Sequence, residues 1–402
     1  MSERRRDLLV VSGIAFFVLV ILSVFTWFVF PERDLWYFKI PWGHEILDLG
    51  PSRFYGRTKY DTDYPPLWLL ILGAMALLSR VINASETLEH FIFRLPNLLV
   101  FVASIFVFFA LLKHFGVNGL KAYTITIVYA FSPAAWLNVF WGQADMFLVF
   151  GVMVMTLLVL KQRFFLALLV GTFVLLIKFH LVFVLPFLGF VIIHKMYNKK
   201  QIFKLMSYLG ICLIIVLAFY APFVWRQVIN GNPFFLFEII SKPFTHYQFF
   251  AVRAFNFYTA IGLDKVTYPG WFFAVNMLIL LSVFLLFIWL YVKSPTESNI
   301  LVLTMLSAGF VYMFSTNMMA RYFLMSVGVM QVAAHILKNP MALFANYFFY
   351  MFQFMIGIIV WFAIDWDFPQ IMVPISIVSV IVFLIISFVS LRCVIQQKPE
   401  VS

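Results

Sequence analysis

Residues 31–64 read PERDLWYFKIPWGHEILDLGPSRFYGRTKYDTDY and separate two long apolar runs. This stretch holds six acidic residues, Glu32, Asp34, Glu45, Asp48, Asp61 and Asp63, of 17 in the chain. The whole chain is 64% hydrophobic and 11% charged, with a mean hydropathy of +1.00. Such a sequence keeps little surface for water, so a dense polar cluster marks where chemistry is expected. Apolar runs of about 20 residues recur down the chain, the length a helix needs to cross a hydrocarbon core. They are continuously apolar rather than alternating, which argues against a closed β-barrel. The expected fold is therefore an all-α polytopic membrane protein, a single domain over residues 1–402. It has about twelve transmembrane helices, with juxtamembrane helices in the first outer loop.

The net charge of +11 raises nucleic acid as a partner. The cations are instead scattered in short loops between apolar runs. That is the positive-inside pattern, reinforced by anionic lipids. Cys212 and Cys393 have no partner spacing and point to neither a disulfide nor zinc. Arg4, Arg5 and Arg6 precede an apolar run from Leu8 to Phe30, longer than a signal-peptide core and with no small-residue cleavage site. A retained signal anchor with a cytoplasmic N-terminus is expected. The next apolar piece, 65–78, is short and opens on two prolines. Treating it as interfacial keeps the basic loops at 113–121 and 161–163 inside.

The expected spans are then about 8–30, 95–112, 122–138, 145–160, 163–178, 181–194, 205–222, 271–291, 300–315, 322–337, 341–363 and 370–391. Both ends are cytoplasmic in this threading. Only Glu3, Asp7, Glu297 and Glu400 among the acidic residues fall inside. The outer face gathers 31–94, Trp141-Gly142-Gln143-Ala144-Asp145, Lys178-Phe179-His180, 223–270, 317–322 and Asp365-Trp366-Asp367. Separate segments meeting on one side can build one cleft.

Several groups there could carry chemistry. Asp34 lies just past the first span, near Trp36, Tyr37 and Trp42. A partly desolvated carboxylate can act as general base on a hydroxyl; a solvated loop residue is the other reading. Asp61 and Asp63 precede Tyr64-Pro65-Pro66, which fixes the chain direction. They could orient a sugar or bind a divalent cation, or one could cap the following helix. Asp145 sits at a span boundary after Gln143, where lipid exposure is costly, so it lines a polar cavity or caps a helix. Lys178 and His180 interrupt an apolar run at the outer mouth. Lys178 either binds an anion or snorkels to the interface, and His180 either contacts a ligand or is structural. Arg321 and Arg253 are candidate phosphate ligands through their guanidinium forks, or headgroup anchors. No Walker-type glycine loop, His-Glu-x-x-His or Gly-x-Ser-x-Gly occurs, so ATP-driven transport and zinc or serine hydrolysis lose support.

In their order, these segments resemble the GT-C superfamily of polytopic glycosyltransferases. The likeness is greatest to the group containing the GPI-anchor second mannosyltransferase and its prokaryotic relatives. The matching pieces are Asp34 with Pro41-Trp42 and Phe54-Tyr55, then Asp63-Tyr64-Pro65-Pro66-Leu67, then Trp141-Gly142-Gln143-Ala144-Asp145. Lys178, Ala254-Phe255-Asn256-Phe257-Tyr258 with Gly262, and Ala320-Arg321-Tyr322 follow. They cover residues 1–320 or slightly beyond; the last spans, within 321–402, carry no signal. The resemblance implies a polyprenyl- or dolichyl-phosphate-linked sugar donor, a glycan or glycolipid acceptor, and an active site on the non-cytoplasmic face. It implies Asp34 as catalytic base and Asp63 as a second catalytic aspartate. Substrate contacts then fall to Asp61, Tyr64, Gln143, Asp145, Lys178, His180, Arg253, Asn256 and Arg321. No cofactor is required, and a divalent cation (Mg or Mn) is compatible. Met319-Ala320 stands where relatives often carry His-Glu. The expected localisation is multi-pass, in a prokaryotic plasma membrane or a eukaryotic ER membrane. A secondary transporter and a carrier-binding relative without transfer activity are the alternative readings.

Overall fold

The computed structural model describes residues 2–28, 34–57, 62–245, 248–337, 339–345, 347–348 and 369–396. Asp61, the 365–367 segment and most of the expected span at 341–363 lie outside the described residues.

The described chain is almost wholly helical. α1 (Glu3–Phe28) leads through a π turn (Leu35–Lys39) to α2 (Ile40–Leu49), α3 (Pro51–Arg57), α4 (Pro66–Val81) and α5 (Glu86–His114). Next come α6 (Gly119–Ala130), α7 (Pro133–Phe140), α8 (Asp145–Leu160), α9 (Phe164–Leu175), α10 (Leu185–Asn198), α11 (Ile202–Ile229) and α12 (Phe235–Thr245). The last described helices are α13 (Phe257–Ala260), α14 (Gly270–Lys293), α15 (Glu297–Phe314), α16 (Leu324–Ile336) and α17 (Pro369–Gln396). Two short strands, β1 (Ala251–Val252) and β2 (Met318–Met319), pair in parallel.

Six of the described helices, α1, α5, α11, α14, α15 and α17, are long and apolar enough to cross a membrane. The chain is an integral membrane protein. Other expected spans take a different form. The piece at 122–138 is two helices, because Pro133 cannot continue α6; Ser132 instead caps α7, its hydroxyl accepting from Ala135 N–H at 3.4 Å. The piece at 163–178 is helical over only 12 residues, about 18 Å long against a ~30 Å core.

Three helices, α2 to α4, lie between α1 and α5 in sequence, while α1 packs directly on α5. α4 packs lengthwise on α2, and glycine makes the approach close. A Cβ on Gly43 would sit 2.7 Å from the Leu72 carbonyl oxygen and 2.7 Å from the Phe93 ring. A Cβ on Gly73 would sit 2.6 Å from Ile46. Polar ties close the far end of this layer. Arg80 makes a two-pronged ion pair with Asp48 (2.7 and 3.0 Å), and His44 meets Glu89 at 2.8 Å. We expect Gly43→Ala to cost about 1–3 kcal/mol. The check is a lower unfolding temperature, with Gly13→Ala on the open face of α1 as the unaffected control.

Apolar side chains form two cores. The larger joins α1, α5, α6, α8, α10 and α14 to α16. The smaller joins the π turn, α2, α3 and α4 to α11 and residues 176–177. Two of the places where the chain crosses between them carry polar residues. Ala144 belongs to the smaller core and Met146 to the larger, with Asp145 between them. Ile177 belongs to the smaller and Leu181 to the larger, with Lys178 and His180 between. The polar groups therefore collect at a boundary between two dry bodies.

Candidate active site

The π turn presents Asp34. Ile40 N–H donates to the Leu35 carbonyl, a five-residue spacing. The wider turn lets three side chains grip the Trp141-Gly142-Gln143 turn at once. Leu35 is fully buried against Gly142, where an added Cβ would lie 3.0 Å from it. Lys39, also buried, donates from Nζ to the Trp141 carbonyl at 3.3 Å. Asp34 accepts from Gln143 Nε2 at 2.8 Å. Gly142 has φ 61°, a left-handed conformation that suits glycine and lets the chain reverse into α8.

Gln143 joins Asp34 to Tyr64. Its Oε1 accepts from the Tyr64 hydroxyl at 3.3 Å. Pro65 caps α4 in an extended conformation, and Leu67 N–H donates to the Leu176 carbonyl at 3.0 Å. The Tyr55 hydroxyl donates to the Tyr64 carbonyl at 2.6 Å. The segment from Asp63 to Pro66 is thus pinned next to the chain carrying Lys178.

Asp145 opens α8 and is 1% exposed. It forms an ion pair with Lys178 and another with Arg321 Nε at 3.3 Å. Asn138 Nδ2 donates to it at 3.3 Å. Arg321 also reaches Asp34, with Nη1 3.5 Å from Oδ2. Tyr322 supplies an aromatic wall. Lys178 Nζ lies 4.9 Å from its ring centre, and His180 packs on it at 4.1 Å. Asp34 is 34% exposed, whereas Asp145 is sealed. Of the two carboxylates on Arg321, Asp34 is the one that can meet a substrate.

Burial alone would raise the Asp34 pKa. Arg321, Lys39, the Gln143 hydrogen bond and Lys178 outweigh it and hold the carboxyl below its ordinary value. A depressed value in the folded state means that ionised Asp34 stabilises the fold above about pH 4, the unfolded carboxyl range. That contribution disappears as pH falls through the lower folded value. We expect Asp34 to contribute no titration step between pH 5 and 8; replacing it should leave the unfolding temperature's pH dependence unchanged across that range. Burial first, then Lys178, push His180 down to about 3, so its imidazole is neutral at pH 7.

Beside this cluster lies a narrow cleft lined by Asp63, His180, Asn317, Met318, Met319 and Tyr322, among others. Its free interior is about 30 Å³, room for a few waters. Arg321 is brought here by the β1–β2 pairing. Asn317 N–H donates to the Phe249 carbonyl at 3.0 Å, and Asn276 Oδ1 accepts from the Ser315 hydroxyl and from the Thr316 N–H, each at 3.3 Å.

Asp34, Tyr64, Gln143, Asp145, Lys178, His180 and Arg321 come together, and Asp63 borders them. Two other candidates do not join. Arg253 is held by its backbone N–H on Asp264 at 2.6 Å. Among the described residues no contact joins its guanidinium to the cluster. Asn256 caps α13, accepting from Thr259 N–H at 3.2 Å and donating to the Tyr312 carbonyl at 3.3 Å. Its side chain belongs to the scaffold. Lys39 and Asn138 are in the cluster without having stood out in sequence. No group of three or more His, Cys, Asp or Glu that could hold a metal occurs among the described residues.

No family model matches the chain, and no curated protein matches it.

Proposed function

We propose that the protein is an inverting glycosyltransferase. It moves a hexose from a polyprenyl- or dolichyl-phosphate carrier to a hydroxyl of a glycan or glycolipid, with mannose favoured by the sequence resemblance. One observation carries the reading. Residues 34, 143, 145, 178 and 321, distant in sequence, form one contiguous network whose exposed member is a carboxylate beside an arginine.

Asp34 takes the proton from the acceptor hydroxyl as that oxygen attacks the anomeric carbon. The bond from that carbon to the carrier phosphate breaks, and the phosphate leaves with the bonding pair. Arg321 stabilises the charge gathering on it, with Lys178 raising the local positive potential. Phosphate competes with Asp34 for the same guanidinium. Donor binding therefore loosens the hold on Asp34 and raises its basicity when the base is needed. Gln143 keeps the carboxylate aimed throughout. No step is assigned to a metal.

In this reading the network lies on the non-cytoplasmic side, as the loop charges favour. The short or broken helices α6 to α10, with α16 and the expected span at 341–363, then complete the crossings that the six long helices leave open, for a total of about twelve. The experiment is direct. Purified protein is incubated with short-chain polyprenyl-phosphate mannose or glucose and a glycolipid fraction, and products are read by mass spectrometry. A hexose-bearing product supports the reading. No product with either donor, together with solute uptake in proteoliposomes lacking lipid-linked sugar, replaces it with a transporter.

A further inference from the structure

Far from the carboxylate network, at the other end of α8, two sharp helix–helix turns adjoin one hollow. α8 separates that end from Asp145 by 16 residues, about 24 Å. The α8–α9 and α10–α11 turns share one geometry. Arg163 N–H donates to the Leu158 carbonyl at 2.8 Å, and Gln162 N–H to Val159 at 3.0 Å. Gln201 N–H donates to Met196 at 2.9 Å, and Lys200 N–H to Tyr197 at 2.8 Å. Gln162 (φ 57°) and Lys200 (φ 55°) occupy the left-handed position that glycine usually takes. Of the two, Gln162 lines the hollow.

The hollow measures about 360 Å³. Its cations are Arg163, Lys199 and Lys204, and among the described residues no carboxylate lines it. Lys199 Nζ donates to Gln162 Oε1, tying one turn to the other. Phe165 and Tyr208 pack beside it with ring centres 4.8 Å apart. The first turn of α9 borders it as well, and its opening N–H groups have no partner within the helix. This is a site for an anion. Its surroundings include exposed apolar side chains: Leu166 in the lining is 42% exposed, and the α11 face that carries Lys204 and Tyr208 continues at Ile211, also 42% exposed. A soluble anion has no use for that rim, whereas an acyl chain does.

We infer that this hollow binds the headgroup of an anionic phospholipid. The phosphate sits against Arg163, Lys199 and Lys204, and the chains lie along Leu166 and, on α11, Ile211. Basic pockets between membrane helices recognise such headgroups. The inference stands apart from the transfer reaction and from its site.

The test titrates dioleoylphosphatidylglycerol into the detergent-purified full chain and reads the rise in unfolding temperature. Wild type is expected to shift, and phosphatidylcholine to leave it unchanged. The Arg163→Gln, Lys199→Gln, Lys204→Gln triple variant should bind roughly a hundredfold more weakly. If the triple variant does not fold, Arg163→Gln and Lys204→Gln singly should each weaken binding roughly fivefold. A matched control, Lys121→Gln, Lys293→Gln, Arg392→Gln, should respond as wild type. An equal loss in the control would reduce the effect to general surface charge and overturn the site. So would variants of the hollow that bind like wild type. Inorganic phosphate reproducing the full shift by itself would assign the hollow to a soluble anion and overturn the lipid.

Discussion

Asp34→Asn is expected to eliminate sugar transfer while leaving the protein folded. General-base catalysis contributes on the order of 10²–10⁴-fold in rate, and an amide cannot accept the acceptor's proton in this way. The fold should tolerate the change for a structural reason. Arg321 keeps its contact with Asp145, and Gln143 can still bond the neutral side chain. Asp34 is also the partly exposed carboxylate of the pair. The measurement is turnover with a polyprenyl-phosphate sugar alongside the unfolding temperature. Wild-type turnover in the variant would remove Asp34 from the mechanism. A variant that no longer folds would show that the carboxylate is structural.

Lys178→Met is expected to have the opposite signature, a loss of stability first. Lys178 and Asp145 are 4% and 1% exposed, so the substitution leaves a sealed carboxylate with less compensation. Removing one partner of a buried pair costs about 3–5 kcal/mol. Arg321 and Asn138 remain on Asp145 and place the effect toward the lower figure. The double variant Lys178→Met, Asp145→Asn should recover much of that stability, because the unpaired charge is gone. Thermal unfolding of the four proteins in one detergent gives the coupling. Additive losses would mean that the two side chains act independently, against the geometry.

The contrast between these two variants reflects what was legible in the sequence. Polar islands in apolar surroundings announced themselves. Asp34, Gln143, Asp145, Lys178 and Arg321 each interrupt or border a hydrophobic run, where a polar group needs a partner. What the sequence left open was which partner. Asp145 could have been a simple helix cap, and only the approach of 178 and 321 shows a buried ion network.

Lys39 was overlooked for a related reason. It sits among aromatic residues in a loop that already held several charges, and its burial depends on where the π turn docks. Asn138 was hidden inside an expected continuous span that Pro133 divides. Asn256 illustrates the reverse ambiguity. Its place in a string of matching residues suggested ligand contact, yet Asn256 followed three residues later by Thr259 is also the pattern of a helix N-cap. Arg253 has φ 51°, a backbone state that no sequence pattern there announces, and it turns the chain toward Asp264.

Element lengths were the least legible feature. Continuous hydropathy does not show where a helix stops, and the chain uses several pieces too short for a full crossing. Two cores meet at the network, so apolar residues on either side of Asp145 serve different bodies although they are neighbours in sequence.

The π turn has a consequence for how this chain tolerates lesions. Between Asp34 and Lys39 the backbone carries one residue more than an ordinary helical turn would hold, and Tyr37 within it is exposed and 54% accessible. Deleting Tyr37 removes only a half-exposed side chain, yet it tightens the turn and swings Asp34 by about 100° around the axis. Spacing is therefore itself a quantity to be tested here: a gap of one codon at position 37 is expected to silence the proposed base as surely as replacing it.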